Sequence, residues 1–300
     1  MSWQMHAAAA YTRVLRKPRT YGSARAAAAF LARPKASPRL PSMLGDKMEH
    51  RLSRNTFGAF DCYTLRPGGR EIAVADRGSI VYLHGGGYVN EIHSAHWDLA
   101  ADIADACHRP VHLPIYGLAP EHRACEAGDF VQEVIHSAAT TGPVYLVGDS
   151  SGGGLALAAA QSAMRAGQAA LQGITLISPW IDIALRNPDV PVVALRDPWL
   201  SPEGLRYIGR NWAGDLRDDD ARVSPLFGNS AGLPPVDLYV GTRDIFMPDC
   251  RLLRDQLGEG AIRYHEEPGA IHIYPLLPVP EGRRARLSLL AHMADSFARD

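Results

Sequence analysis

Three side chains of this sequence have the types and the spacing for nucleophilic catalysis: Ser150, Asp244 and His272. Ser150 lies in Gly148-Asp149-Ser150-Ser151-Gly152, a G-x-S-x-G pattern that puts a serine on a sharp turn between flanking glycines. An apolar, β-branched run from Pro143 leads into that turn, and the helix-forming run Leu155–Met164 leaves it. The reading is strand, elbow, helix, with the serine hydroxyl above the sheet edge and the helix's free N–H groups facing any developing oxyanion. A phosphate-cradling turn is the alternative, but the stretch lacks the Lys-Ser/Thr of a P-loop and the G-x-G-x-x-G spacing of a dinucleotide site. A serine hydroxyl is a poor nucleophile at neutral pH. His272 would take its proton, and Asp244 would hold the imidazole in the right tautomer and stabilise its cation. The competing bases are His265, inside a strand pattern, and His122, which precedes the serine. The competing acids are Asp249, which reads as a helix cap, and Asp237, inside a strand.

A second element serves the same chemistry. The buried-type strand Ser79–Leu83 runs into His84-Gly85-Gly86-Gly87, whose unhindered N–H groups can converge on a substrate oxygen as half of an oxyanion hole. His84 opens this loop and is expected to brace its backbone rather than act as a base. His93 and His96 stand at helical spacing without an acidic neighbour, which favours surface histidines over metal ligands.

The elements that must position these loops alternate. Strands are expected at Phe60–Leu65, Glu71–Ala75, Ser79–Leu83, Val111–Ile115, the elbow strand, Gly173–Ser178, Pro235–Val240 and Ala261–Glu266, the first two forming a hairpin around Pro67-Gly68-Gly69. Helices are expected at Ser94–Cys107, Ala124–Ala139, after the elbow, from Ser201-Pro202 to about Trp212, and from Gly282 to Asp300, where Leu287, Leu290, Ala291, Ala294 and Phe297 recur at helical spacing. Strand–helix alternation means parallel strands with right-handed crossovers. Two segments depart from it. Residues 1–45 hold helical runs at Trp3–Leu15 and Ser23–Ala32 but no strand, and their uncovered aromatics suit a cap lying on the body. Residues 184–222, inserted after the carboxyl ends of sheet strands, suit part of a lid, with Trp180, Trp199, Tyr207 and Trp212 available to line its underside.

Composition narrows the partners. Three hundred residues, 46% hydrophobic, support one large core, and a formal net charge of −1 creates no global field for nucleic acid or an anionic membrane. Cys62, Cys107, Cys125 and Cys250 are scattered without a C-x-x-C pair, which suits a reducing cytoplasm and gives neither a zinc site nor a disulfide framework. No stretch approaches the ~20 apolar residues of a membrane span, and the N-terminus lacks the pattern of a signal peptide. No cofactor or metal is expected; a small-molecule partner is.

Taken together, His84–Gly87, Gly148–Gly153, Leu118-Ala-Pro-Glu-His122, Ser178-Pro-Trp-Ile-Asp182 and the Asp244 and His272 loops resemble the hormone-sensitive-lipase-like branch of the α/β-hydrolase esterases over roughly residues 57–299. Asp197-Pro-Trp-Leu-Ser-Pro202 and His272-Ile-Tyr-Pro-Leu-Leu277 look closest to the subgroup with monoterpene lactone hydrolases and actinobacterial carboxylesterases. The resemblance implies a mostly parallel eight-stranded α/β sheet flanked by helices, with a cap from residues 1–45 and from the 184–222 insertion on a 46–300 catalytic domain. It implies Gly86, Gly87 and Ser151 as backbone oxyanion donors, with Gly85 shaping the loop, and pairing of two copies through edge strands or the terminal helix. The family's Asp-Tyr-Arg before Leu-Ala-Pro-Glu is replaced by Ile115-Tyr116-Gly117, which removes a supporting ion pair from that loop. The activity implied is hydrolysis of short or medium acyl esters, lactones among them. The alternatives are a receptor-like binding protein on the same scaffold, against which His272 argues, and an amide hydrolase, which the triad alone does not separate.

Overall fold

The computed structural model describes residues 1–33, 51–68, 77–167 and 170–298. Among them, eight strands form one sheet: β1 (Leu52–Phe57), β2 (Phe60–Leu65), β3 (Ser79–Leu83), β4 (Val111–Ile115), β5 (Val144–Asp149), β6 (Leu171–Ile177), β7 (Val236–Gly241) and β8 (Ile262–Glu267). Their order is β1-β2-β4-β3-β5-β6-β7-β8, antiparallel across β1–β2 and β2–β4 and parallel elsewhere. The β3 and β5 runs are buried at every position, as strands covered on both faces by crossover helices must be. Their carboxyl ends, side by side, deliver the glycine loop and the elbow to one place.

The helices are α1 (Trp3–Tyr11), α2 (Ala24–Leu31), α3 (Ser94–Cys107), α4 (Ala124–Ala139), α5 (Ser151–Ala166), α6 (Val190–Ala194), α7 (Pro202–Ala213), α8 (Met247–Leu257) and α9 (Pro280–Phe297). Two apolar clusters fill the faces of the sheet. One holds the inner residues of α4, α5 and α7, such as Phe130, Leu155 and Trp212; the other holds those of α3 and α9, such as Trp97 and Leu289. Each fully buried large side chain of this kind contributes roughly 1.5–3 kcal/mol relative to exposure.

The hairpin at the start of the sheet differs from expectation. β2 pairs with Leu52–Phe57 around Gly58-Ala59, while Glu71–Ala75 lies outside the described residues. β1 carries no strand signal in the sequence because Ser53, Arg54, Asn55 and Thr56 are all exposed on an edge strand and show no apolar alternation. The short helix α6 was hidden in a stretch punctuated by Pro188 and Pro191. The first helical run ends early: after Tyr11 it widens into a π turn at Thr12–Arg16 and tightens into a 3₁₀ turn at Lys17–Arg19, where Pro18 cannot supply an N–H. The described part of the N-terminal segment lies on the body, with α2 packed against α7. Of the four aromatics offered for the lid's underside, Trp199 alone walls the cavity that holds Ser150 and His272. Trp180 and Trp212 are core residues, Trp212 stacking on Tyr88 with ring centres 4.3 Å apart, and Tyr207 is exposed.

Candidate active site

The elbow is held in a conformation that only its neighbours permit. Ser150 has φ 53° and ψ −121°, a strained backbone for a residue with a side chain. Two backbone bonds fix it to the end of β6: Ser150 N–H donates to Ile177 O at 2.8 Å, and Trp180 N–H donates to Ser150 O at 2.9 Å. The flanking glycines are required by space. A Cβ at Gly148 would lie 2.3 Å from Gly152 O, and one at Gly152 would lie 2.1 Å from Leu83 O. Glycine in the first turn of α5 costs roughly 0.5–1 kcal/mol against alanine, but a methyl group driven into backbone oxygen is worse.

The three predicted side chains meet. His272 Nε2 lies 2.9 Å from Ser150 Oγ, and His272 Nδ1 lies 2.9 Å from Asp244 Oδ2. All three are buried. Burial pulls the His272 pKa down, but the Asp244 carboxylate raises it by charge and hydrogen bond, with help from Asp197 and Asp149, and the net shift is upward. Chemically, this chain of contacts can move a proton from the serine to the imidazole and stabilise the cation that results. The alternatives stand elsewhere. His122 pairs with Glu126 at an exposed position. His265 stacks on Tyr239 and faces Asp237, whose two oxygens are held by Arg263 at 2.6 and 3.0 Å. His292 completes that cluster, in which both Asp237 oxygens already accept from the Arg263 guanidinium. Asp249, expected to cap α8, is instead the third residue of that helix and buried beside Asp182, with its pKa pushed up to about 7 by burial and then by the Asp182 charge.

The glycine loop is braced from three directions. His84 turns its Nδ1 to Gly85 O at 2.7 Å and stacks on Tyr116, whose hydroxyl donates to His84 O at 2.5 Å; burial and the neighbouring His96 bring the His84 pKa down to about 4, so it stays neutral. Tyr116 thus supplies support to the loop where the Asp and Arg of the resemblance are missing. Asp149 accepts from Gly85 N–H at 3.0 Å and from Tyr82 Oη at 2.9 Å. His96, expected at the surface, is buried with Nε2 3.3 Å from the other Asp149 oxygen. Burial alone would raise the Asp149 pKa, but His96, Tyr82 and Gly85 together hold it low. Tyr21, from the N-terminal segment, donates to Gly86 O at 3.1 Å and accepts from Asn90 Nδ2 at 2.9 Å.

The N–H groups of Gly86 and Ser151 make no hydrogen bond among the described residues, whereas Gly87 N–H donates to Ser151 Oγ at 2.9 Å. Gly86 has φ 131° and Gly87 φ 65°, regions open to glycine.

Four supporting residues were not singled out for their roles from sequence. Asp149 and Ser178 were visible only as motif letters; Ser178 Oγ accepts from Ile273 N–H at 3.0 Å, fixing the His272 loop. Asp197 accepts from Trp199 N–H, Leu200 N–H and Ile245 N–H at 2.7, 2.9 and 2.8 Å, tying the insertion to the Asp244 loop; burial and the Asp244 charge push its pKa up to about 6. Tyr21 carried no signal beyond being aromatic. A cavity of about 990 Å³ opens over Ser150 and His272, walled by Gly86, Gly87, Trp199 and residues of the N-terminal segment such as Tyr11 and Tyr21.

Comparison with known proteins identifies the fold family. A family model described as alpha/beta hydrolase fold matches residues 80–276. An esterase of Acinetobacter venetianus is 30% identical over 191 residues, which span 62% of this chain and 63% of that protein, less than two thirds of its length. An acetyl-hydrolase of Streptomyces hygroscopicus is 30% identical over 220 residues, 70% of this chain and 73% of that protein. Among solved structures, a candidate esterase of Staphylococcus aureus superposes with a TM-score of 0.78 at 28% identity, covering 85% of this chain and 86% of that one. An esterase/lipase from an uncultured bacterium has a TM-score of 0.79 over 99% and 100% of the two chains; at 22% identity it speaks for the fold.

Proposed function

The chain belongs to the alpha/beta hydrolase fold family, and from that premise we propose that it is a serine carboxylic-ester hydrolase acting on short to medium acyl esters through an acyl-enzyme. The observation that carries the reading is His272 in contact with Ser150 and Asp244 at 2.9 Å on each side. Ser150 attacks the ester carbonyl while His272 takes its proton; the tetrahedral oxyanion is met by N–H groups of Gly86, Gly87 and Ser151. The alcohol leaves with the proton from His272, and water, activated by the same imidazole, releases the acid. Asp244 holds the Nδ1 proton throughout.

The finer readings belong to the same proposal. Residues 1–45 and the 184–222 insertion form the cap over a catalytic domain of 46–300, supported by the packing of α2 on α7 and by the donation of Ser201 Oγ to Tyr21 O at 2.6 Å. A cavity of about 990 Å³ suits a short to medium acyl chain or a lactone ring. The Asp197–Pro202 stretch supports the lactone hydrolase subgroup. The four free cysteines support a cytoplasmic location, and Leu287, exposed on α9, fits pairing of two copies through the terminal helix.

A fluorophosphonate tests this reading against the receptor-like one, because only an activated serine forms the covalent adduct. The adduct should map to the peptide containing Ser150, vanish in Ser150→Ala and form far more slowly in His272→Ala. No adduct on folded protein, with no turnover of p-nitrophenyl acetate, would leave the binding-protein reading in its place.

A further inference from the structure

The first 33 residues contain Arg13, Arg16, Lys17, Arg19, Arg25 and Arg33 and no acidic residue, in a chain whose net charge is −1. The same segment carries much of the exposed large apolar surface. Trp3 is 74% exposed, Tyr11 51% and Val14 67%, with Leu15 beside them. Trp3, Ala7, Tyr11 and Val14 recur at i, i+4, i+8 and i+11, so they lie on one side of α1 and its continuation.

The opposite side is fixed to the body. Met5 and Ala9 are buried, Met5 within the cluster that holds Ile273 and Leu276, and Ser2 bonds through both its backbone N–H and its hydroxyl to Glu281 at the start of α9. α1 is therefore held in place with an aromatic face turned outward. The exposed charged side chains of the segment itself are all basic. Arg13, Arg16 and Arg19 are exposed, and Arg13 adds to the field that, after burial, lowers the Arg243 pKa. Lys17 is partly committed, donating to Asp197 O at 2.8 Å with Glu203 nearby. Trp3, Tyr11, Arg16 and Arg19 also wall the cavity over Ser150, so the basic aromatic face and the cavity share an edge.

We propose that this face docks the protein on an anionic lipid surface, with α1 lying in the plane of the headgroups and the cavity edge against them. An anchored helix with Trp and Tyr outward and a rim of arginines is the chemistry of interfacial binding, in which aromatic rings enter the headgroup level and each basic side chain near the surface contributes about five-fold in partitioning. The charge asymmetry selects a lipid surface that is negative over a neutral one. No helix among the described residues is long and apolar enough to cross a membrane, and the association proposed is peripheral. That the bound protein draws lipid-dissolved esters into the cavity rests on the hydrolase reading; the docking itself does not.

The test is sedimentation of the full chain with vesicles of phosphatidylcholine alone or with about one third phosphatidylglycerol. Binding should be at least ten-fold stronger to the anionic vesicles and should weaken steeply with salt. The variant Arg13→Glu/Val14→Asp/Leu15→Ser alters exposed residues outside the cavity wall, so it should lose the anionic binding while retaining wild-type turnover of soluble p-nitrophenyl acetate. Arg13→Gln alone is the milder second variant and should weaken binding several-fold. No vesicle binding by the wild type, equal binding to both compositions, or undiminished binding by the triple variant would overturn the proposal. So would a concentration-dependent dimer in solution that the same triple variant abolishes, since the face would then belong to a second copy. An inert but vesicle-bound wild type would strike the hydrolase reading and leave the docking intact.

Discussion

The Ser151 hydroxyl accepts the backbone N–H of Gly87 at 2.9 Å and that of Tyr88 at 3.3 Å. The residue after Ser150 therefore reaches across to the opposite loop and occupies a donor that the proposed mechanism needs for the oxyanion. While Gly87 N–H points at Ser151 Oγ it is shared, and the proposed hole would act with less than its full set. Ser151→Ala should free that donor and raise kcat by several-fold with little change in KM, since a donor aimed at the transition state acts there and not on the ground state. A fall in kcat of ten-fold or more would mean that the hydroxyl braces the loop and is not a competitor.

The pH dependence follows from His272. Its net pKa is raised above the ordinary histidine value, and only the neutral imidazole can accept the Ser150 proton. Activity is thus lost as pH falls through the raised value, and the acid limb of kcat/KM should lie above about 6.5. In Asp244→Asn the raising charge is gone and the wrong tautomer is favoured, so kcat should drop by about three to four orders of magnitude. His265→Ala, in a separate cluster with Asp237 and His292, should stay near wild type. A larger loss in His265→Ala than in His272→Ala would move the base.

Tyr21 acts through the loop it touches. Its hydroxyl holds Gly86 O, and that carbonyl shares a peptide plane with the N–H of Gly87. Tyr21→Phe keeps the ring that packs against Gly87 but releases the carbonyl. We expect kcat to fall about ten-fold with KM nearly unchanged, because a misdirected donor is felt in the transition state. An effect on KM alone would make Tyr21 a wall of the cavity and nothing more.

Asp249 should govern stability instead of activity. Neither of its oxygens is in a well-formed hydrogen bond, and burial with the Asp182 charge pushes its pKa up to about 7. A carboxyl whose folded-state pKa is raised keeps its proton in the native protein after losing it in the unfolded chain. Between about pH 4 and pH 7 the native state therefore binds more protons, and stability falls as pH rises through that window. Asp249→Asn should raise Tm at pH 8 by several degrees, change it little at pH 4, and leave kcat/KM within a few-fold. Thermal melts at the two pH values check this; a lower Tm at pH 8 would show that the carboxylate is satisfied as an anion.

Local chemistry in the sequence determined the parts of this protein that depend on neighbouring residues. Gly148-x-Ser150-x-Gly152 specifies an elbow because no Cβ fits at either glycine, and apolar runs ending in Gly, Asp or His loops specify strands whose carboxyl ends share one edge. That shared edge is enough to pair Ser150, Asp244 and His272 from sequence. What only the tertiary structure decided are the contacts whose partners come from different layers. Asp149 against His96, Asp197 against the Ile245 amide, Tyr21 against Gly86 O and Ser151 against Gly87 each join segments with no shared period. A polar residue that will be buried looks, in sequence, like one that will be solvated, because its satisfaction depends on which segment packs opposite it. The same reason hid β1, whose exposed polar residues form a strand only because β2 offers hydrogen bonds to its backbone. The basic, acid-free run of the first 33 residues is legible in the sequence, but only the fold, by burying Met5 and Ala9, decides that it borders an exposed aromatic face.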